Sequence, residues 1–290
     1  MIRHPVIRRY LDPEKFEMVK RDSPALVKLI NESGGEYSFQ LRENYFNIYY
    51  QGNSLAKVAP NKSGKYSVEI HRKFVEGSVL TKLERYSVNS RSSGSRVRFV
   101  VRPANLRQFF RRSNMDSLSS KIRGVQYGEE ITFEQMLITD NPASRKLIII
   151  DRQVADHASK AQIDLLALRR NSEDNPFHFQ VIEVKLGRNK ELVENVGWQL
   201  NQYVDHVRKH IEDYAKCYEI NYRQKKELEL FAPGLPDSIE IERGAETVEG
   251  LVVACGYSWL GAEAIKKLER KMTENGWNIK IYPMPGLKLP

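Results

Sequence analysis

Residues 161–186 read AQIDLLALRRNSEDNPFHFQVIEVKL and contain two apolar segments separated by a polar one. The segments Gln162–Leu168 and Phe177–Leu186 are rich in aliphatic residues, and each has the length of a β-strand. Between them, Asn171–Pro176 contains the Asn, Ser, Asp and Pro residues that are typical of turns. The sequence therefore predicts two neighbouring strands that pair as a hairpin inside a buried sheet.

Charged side chains interrupt both predicted strands. Glu183 and Lys185 alternate with Ile182 and Val184, so the two charged groups share one face of their strand, about 7 Å apart. Asp164 is an acid in the other apolar strand, and a hairpin would bring it beside Glu183. Burying a charge costs free energy unless it is paired or bound to a metal. Two carboxylates at a sheet edge suit Mg²⁺, and an adjacent lysine can orient water or stabilise developing negative charge.

The segments around this hairpin alternate between helix and strand. Apolar spacing of three and four residues predicts helices over Glu129–Asp140, Lys190–Tyr214 and Ala262–Glu274. Buried strands are predicted at Leu147–Ile150, Leu251–Cys255 and Asn278–Tyr282, with an irregular insertion around residues 216–250. This order, α-β-β-β-α followed by β-α-β, predicts a mixed α/β domain.

The pattern D-x18-E-x-K on two adjacent strands resembles the PD-(D/E)xK, or restriction-endonuclease-like, superfamily of nucleases. The resemblance covers about residues 120–210 and implies an α-β-β-β-α-β core with a mixed central sheet flanked by helices. It implies metal-dependent hydrolysis of DNA, as an endonuclease in defence against phage, restriction, repair or mobile-element processing. The chain departs from the motif at Ile163, where the family name has proline.

The resemblance also implies roles for individual residues. The metal ligands for Mg²⁺, with Mn²⁺ as a substitute, are Asp164, Glu183, Glu134 and the Val184 main-chain carbonyl. Lys185 would position or activate the attacking water, and Gln199, four residues before Tyr203, would orient the site. Alternatives for these positions are Asp151 and Asp156 among the carboxylates, Glu130 for Glu134, and Gln202 for Gln199.

The basic excess lies in the first part of the chain. The 290 residues include 46 Lys and Arg against 37 Asp and Glu, a net charge of +9. Residues 1–115 hold 22 of these basic residues and 10 of the acids, and alternation of apolar residues predicts a small antiparallel sheet there. The polar segment Ser113–Ser120 predicts a domain boundary near residue 115. Residues 1–115 would then form a basic β-rich domain and residues 116–290 the nuclease-like domain.

The positive charge is densest between Arg91 and Arg123, where nine basic residues accompany one acid. Such surfaces bind polyanions because each neutralised phosphate releases counterions. We therefore expect nucleic-acid contacts from Arg96, Arg98, Arg102, Arg107, Arg111 and Arg112. DNA is the expected partner, with RNA less favoured, and a homodimer or a partner subunit is compatible with the resemblance.

Several other classes of protein are disfavoured. No apolar run approaches the roughly 20 residues of a membrane helix, and the basic N-terminus lacks the features of a secretory signal. Cys217 and Cys255 are too few for a thiolate zinc site and are expected to be reduced and buried. We therefore expect a cytoplasmic protein. Two alternatives to a nuclease remain open: an inactive nuclease fold that binds nucleic acid, and a regulatory or interaction subunit that meets an acidic protein.

Overall fold

The computed structural model describes residues 5–125, 128–156, 162–257 and 259–285. Contacts divide the chain into two units. The six-stranded unit comprises Arg8–Ile131 and Arg223–Pro233, and the five-stranded unit comprises Met1–Ile7, Thr132–Tyr222 and Gly234–Pro290. In the described residues each unit combines a sheet with helices, so the protein is of the mixed α/β class.

The sheet of the six-stranded unit contains the strands β1 (Tyr37–Arg42), β2 (Tyr45–Tyr50), β3 (Asn53–Pro60), β4 (Tyr66–His71), β5 (Ser87–Ser93) and β6 (Arg96–Val101). Their order is β1-β2-β3-β4-β6-β5, and the paired strands are antiparallel. The expected antiparallel sheet is therefore present. The edge strand β5 was not predicted, because its sequence SVNSRSS has no apolar alternation.

Helices cover one face of this sheet. In the described residues they are α1 (Pro13–Asp22), α2 (Pro24–Asn31), α3 (Ser78–Glu84), α4 (Pro103–Phe109) and α5 (Arg112–Arg123). Three of them begin with proline, whose fixed φ and missing N–H suit the first turn of a helix. Their apolar side chains form one core with the inward-facing residues of the strands.

The expected domain boundary near residue 115 falls inside α5. The serines of Ser113–Ser120 suggest a linker, but Met115, Leu118 and Ile122 recur at helical spacing and are fully buried in the core of the six-stranded unit. Burial of this apolar face therefore outweighs the weak helix propensity of the serines. The units divide at residues 131 and 132 instead.

The segment Arg223–Pro233 completes the core of the six-stranded unit. The Gln224 side chain accepts a hydrogen bond from the Leu11 N–H (2.9 Å) and donates one to the Leu11 carbonyl (2.7 Å). Lys225 Nζ donates to Gln40 Oε1 at 2.7 Å, and Leu228 is buried in the core cluster. Residues that lie 213 positions apart in the chain are thus joined within one unit.

The sheet of the five-stranded unit is mixed. Its strands are β7 (Leu147–Val154), β8 (Ile163–Arg169), β9 (His178–Leu186), β10 (Glu249–Tyr257) and β11 (Ile279–Pro285), in the order β11-β10-β9-β8-β7. The strands β7, β8 and β9 pair antiparallel, whereas β10 is parallel to both of its neighbours. The predicted hairpin of β8 and β9 and the two later strands are therefore present.

The described helices that accompany this sheet are α6 (Glu129–Asp140), α7 (Glu191–Glu194), α8 (Val196–Lys209), α9 (Ile211–Glu227) and α10 (Trp259–Glu274). The single helix expected over Lys190–Tyr214 is broken at Asn195 and His210, where the backbone leaves helical geometry. The apolar periodicity continues across both breaks, so it does not reveal them. The insertion expected from residue 216 begins later, because α9 continues to Glu227.

Cys217 and Cys255 are both buried and unbridged, as predicted. Within the described ranges, none of the helices has both the length and the apolar character needed to span a bilayer.

Candidate functional site

The structure brings Asp164 and Glu183 together where β8 begins and β9 ends. The antiparallel ladder of these strands runs from Arg169–His178 to Leu165–Ile182, and Asp164 and Glu183 are the next opposed positions. Directly opposed residues of an antiparallel pair project to the same face of a sheet. Asp164 Oδ2 also accepts a hydrogen bond from the Val184 N–H at 3.0 Å, which orients its carboxylate toward β9.

Lys185 lies beside this pair of carboxylates. Its Nζ atom is 3.2 Å from Glu183 Oε1 and 3.5 Å from Glu191 Oε2. Glu183 is 1% exposed and Lys185 is 8% exposed, so both charges are largely removed from water. Glu191, at the start of α7, is a second carboxylate for the lysine that sequence reasoning missed. A loop separates Glu191 from β9. Sequence periodicity holds only within a helix or strand, so it could not show that Glu191 lies near Lys185.

Helix α8 adds Gln199 and Tyr203 to the site. The Gln199 Nε2 group donates to Glu183 Oε1 at 3.2 Å and to the Tyr203 hydroxyl at 2.7 Å. Burial raises the pKa of the Tyr203 hydroxyl, and the negative charges of Glu183 and Asp164 act in the same direction. Tyr203 therefore stays neutral and fixes Gln199 one helical turn away. The alternative amide, Gln202, is exposed on the same helix.

The donor set at this position fits a hard divalent cation. Asp164, Glu183, Lys185 and Glu191 have a combined formal charge of −2. The Val184 N–H points toward Asp164, and the carbonyl of the same strand residue points to the same side. Among the described residues, no three His, Cys, Asp or Glu side chains form a complete metal cluster. Mg²⁺ commonly uses only one or two carboxylates, with waters and substrate phosphates as its remaining ligands.

Glu134 has a different set of neighbours. Its Oε2 atom accepts a hydrogen bond from Arg152 Nη2 at 2.9 Å, and Gln153 Nε2 lies 3.3 Å from the same oxygen. Arg152 is opposite Leu165 in the ladder, so it projects to the face covered by α6, whereas Asp164, one residue earlier in β8, projects to the other face. In the structure Glu134 therefore forms a buried ion pair on the face opposite Asp164, and its role as a metal ligand stays a prediction.

Arg152 could not be identified from the sequence. The predicted strand ended at Ile150, but β7 continues to Val154 through an irregularity between Ile149 and Asp151. Arg152 is fully buried, and its Nη1 group also donates to Gln135 Oε1 at 2.8 Å. No sequence pattern indicated that an arginine beyond the apolar run would pair with an acid of α6.

The two alternative carboxylates have their own hydrogen-bond partners. Asp151 accepts a hydrogen bond from the Tyr218 hydroxyl at 3.0 Å. Asp156 accepts one from the Tyr214 hydroxyl at 2.8 Å and also pairs with His206. These contacts favour Asp164 as the acid that accompanies Glu183.

The six predicted nucleic-acid-binding arginines are all exposed, but they lie on different surfaces of the six-stranded unit. Arg96 and Arg98 belong to β6, on the face of the sheet that points away from the helices. Arg107, Arg111 and Arg112 line a groove with Lys28 of α2, and Arg102 precedes α4. The arginines that are contiguous in sequence therefore do not form one patch.

No protein family, curated protein or solved structure matches the chain. The chemistry of the site therefore has to be inferred from its own geometry. Its elements are two acidic side chains and a lysine on the inner strands β8 and β9 of the mixed sheet, with a glutamine of α8 that holds Glu183.

Proposed function

We propose that the five-stranded unit is a metal-dependent nuclease of the PD-(D/E)xK type that hydrolyses phosphodiester bonds in DNA. The observation that carries this proposal is the convergence of Asp164, Glu183 and Lys185 at adjacent strand positions, with Gln199 bonded to Glu183. The order of α6, β7, β8, β9, α8 and β10, with β10 parallel to β9, also supports a restriction-endonuclease-like core.

The residues would divide the chemistry among them. Asp164, Glu183 and the Val184 carbonyl would hold Mg²⁺ or Mn²⁺, which polarises the phosphodiester and lowers the pKa of bound water. Lys185 would orient the attacking water and stabilise negative charge that develops at the phosphate. Gln199 would keep Glu183 in position, and Tyr203 would keep Gln199 in position.

The charge of the six-stranded unit supports a nucleic-acid substrate. Seven exposed arginines lie between Arg91 and Arg112, on more than one face of the unit, and a polyanion is the partner that gains most from such charge. We propose DNA as the substrate, with cleavage inside the strand. A homodimer would allow both strands of a duplex to be cut and is part of the same proposal.

Cleavage of supercoiled and linear DNA tests this function directly. We expect cutting with Mg²⁺ or Mn²⁺ and none with EDTA. The Asp164→Asn variant should lose cutting and bind Mn²⁺ more weakly in a titration, because one charged ligand is gone. Unchanged cutting by this variant would contradict the assigned site. DNA binding without cutting would favour an inactive nuclease fold, and absence of DNA binding would favour an interaction subunit.

A second prediction concerns the glutamine of α8. Gln199→Ala should lower the cleavage rate about 10- to 100-fold and weaken Mn²⁺ binding, because partners that orient metal ligands contribute effects of this size. The DNA affinity measured in EDTA should not change. Gln202→Ala, an exposed amide on the same helix, is the matched control. Equal effects of the two substitutions would contradict a positioning role for Gln199.

A further inference from the structure

One face of the sheet in the six-stranded unit carries a group of exposed cations on adjacent strands. In β6, Val97, Phe99 and Val101 are buried against the helices, while Arg96 and Arg98 alternate with them and are exposed. The strand register places Arg91 of β5 directly opposite Arg98. We call these three exposed arginines, together with the half-buried Lys57 of β3, the arginine face.

This arrangement is electrostatically unfavourable in the isolated unit. Like charges directly opposite each other on neighbouring strands are destabilising. The row across the strands β5, β6, β4 and β3 reads Arg91, Arg98, Glu69 and Lys57, so it contains three cations and one anion. Arg98 Nε donates to Glu69 Oε1 at 2.9 Å. In the described part of the chain, no acidic side chain forms an ion pair with Arg91 or Arg96.

The groove on the helical side is better compensated within the protein. Lys28 Nζ lies 3.7 Å from Glu32 Oε1, and Arg112 Nε lies 3.2 Å from Asp116 Oδ1. Arg111 lies over the ring of Tyr86, with 5.4 Å between the guanidinium carbon and the ring centroid. Among the described residues, two of the four cations of the groove form an ion pair, whereas only one of the four cations of the arginine face does. The arginine face therefore has the greater need for an external anion.

The described aromatic rings at the arginine face are half-buried rather than exposed. Lys57 Nζ lies 4.5 Å from the centre of the Tyr45 ring, and His71, which is opposite Arg96, contacts the ring of Phe74. Phe99, Phe109 and Phe110, which lie among the arginines in sequence, are buried. The exposed large apolar side chain described in this unit is Val88. Proteins that bind single strands combine positive charge with aromatic rings on which bases stack. A face with exposed arginines and serine hydroxyl groups but no exposed ring among the described residues suits the phosphates of a duplex, whose bases are already stacked on one another.

We propose that the arginine face binds the phosphate backbone of duplex nucleic acid and is the main duplex-binding surface of the six-stranded unit. This proposal rests on the nuclease function, because it states that the substrate of the nuclease is double-stranded. It assigns the duplex, rather than a single strand, to this unit and makes the contact independent of base sequence.

The salt dependence of binding tests this proposal. Binding of a short DNA duplex and of its single strand would be measured in EDTA over a range of salt concentrations. The wild type should bind the duplex more tightly. The double variant Arg91→Ala/Arg96→Ala should reduce the slope of log K against log salt by about 1.8, because each lost phosphate contact contributes about 0.9. The double variant Lys267→Ala/Arg270→Ala removes the same charge from two exposed positions of α10 in the five-stranded unit and should leave the slope unchanged.

The outcomes separate this inference from the nuclease proposal, since binding in EDTA does not require cleavage. A reduced slope in the Arg91/Arg96 variant supports the arginine face even if the protein does not cut DNA. An unchanged slope overturns it even if the protein cuts. Tighter binding of the single strand overturns it as well. Absence of binding to both probes overturns it and favours an acidic protein partner.

Discussion

Replacement of Lys185 by methionine is expected to lower the rate of metal-dependent DNA cleavage by about a thousandfold. Methionine keeps an apolar stem but removes the ammonium that lies between Glu183 and Glu191. A positioned cation next to developing negative charge contributes rate factors of about this size. The cleavage rate would be measured at saturating Mg²⁺, and the affinity for DNA in EDTA should change little.

The matched control is Lys190→Met, which removes an exposed lysine just before α7. Its cleavage rate should remain within about twofold of the wild type. Because Lys185→Met leaves the buried Glu183 without this partner, thermal unfolding of each variant would show whether the fold is retained. Full cleavage activity of a folded Lys185→Met variant would contradict the proposed catalytic role of Lys185.

Replacement of Arg152 by methionine is expected to lower the free energy of unfolding by about 3–5 kcal/mol. Arg152 is 0% exposed and Glu134 is 3% exposed, so the substitution leaves a carboxylate buried without its cation. Urea denaturation would measure the change. The double variant Arg152→Met/Glu134→Leu should recover most of the loss, because it removes the second buried charge as well.

The comparison for this substitution is Arg145→Ala, which removes an ion pair with Glu173 in which both side chains are about half exposed. Its cost should not exceed about 1 kcal/mol.

The same series tests the role of Glu134. A Glu134→Gln variant that folds and keeps its Mn²⁺ affinity agrees with a structural ion pair. Loss of Mn²⁺ affinity in that variant would restore Glu134 as a metal ligand.

The hairpin of the candidate site was predictable because two signals agree. The aliphatic runs of β8 and β9 indicate buried strands, and the acids within them have few explanations other than pairing or metal binding. The position of Gln199 was also predictable, since residues of one helix face recur at known spacing. Tyr203 lies four residues after Gln199, and its hydroxyl group accepts a hydrogen bond from that glutamine.

The structure differs from the sequence-based expectations where a tertiary partner decides the local arrangement. The sequence of an amphipathic helix does not distinguish a glutamate that faces a metal from one that faces a buried arginine. The ion pair of Glu134 could therefore not be predicted. The serine-rich α5 and β5 have weak local preferences, and their structure depends on packing against the rest of the six-stranded unit. The helix breaks at Asn195 and His210 are changes in backbone conformation. The spacing of apolar residues is the same on both sides of each break, so it does not predict them.

The dependence of the six-stranded unit on Arg223–Pro233 has a consequence for how the protein is made. A ribosome releases the chain from its N-terminus, and domains commonly fold as soon as they are complete. Here the strands and helices up to residue 131 emerge first, but Gln224, Lys225 and Leu228 join them only after nearly a hundred further residues have been synthesised. The first unit to emerge therefore cannot complete its core until most of the other unit has also left the ribosome.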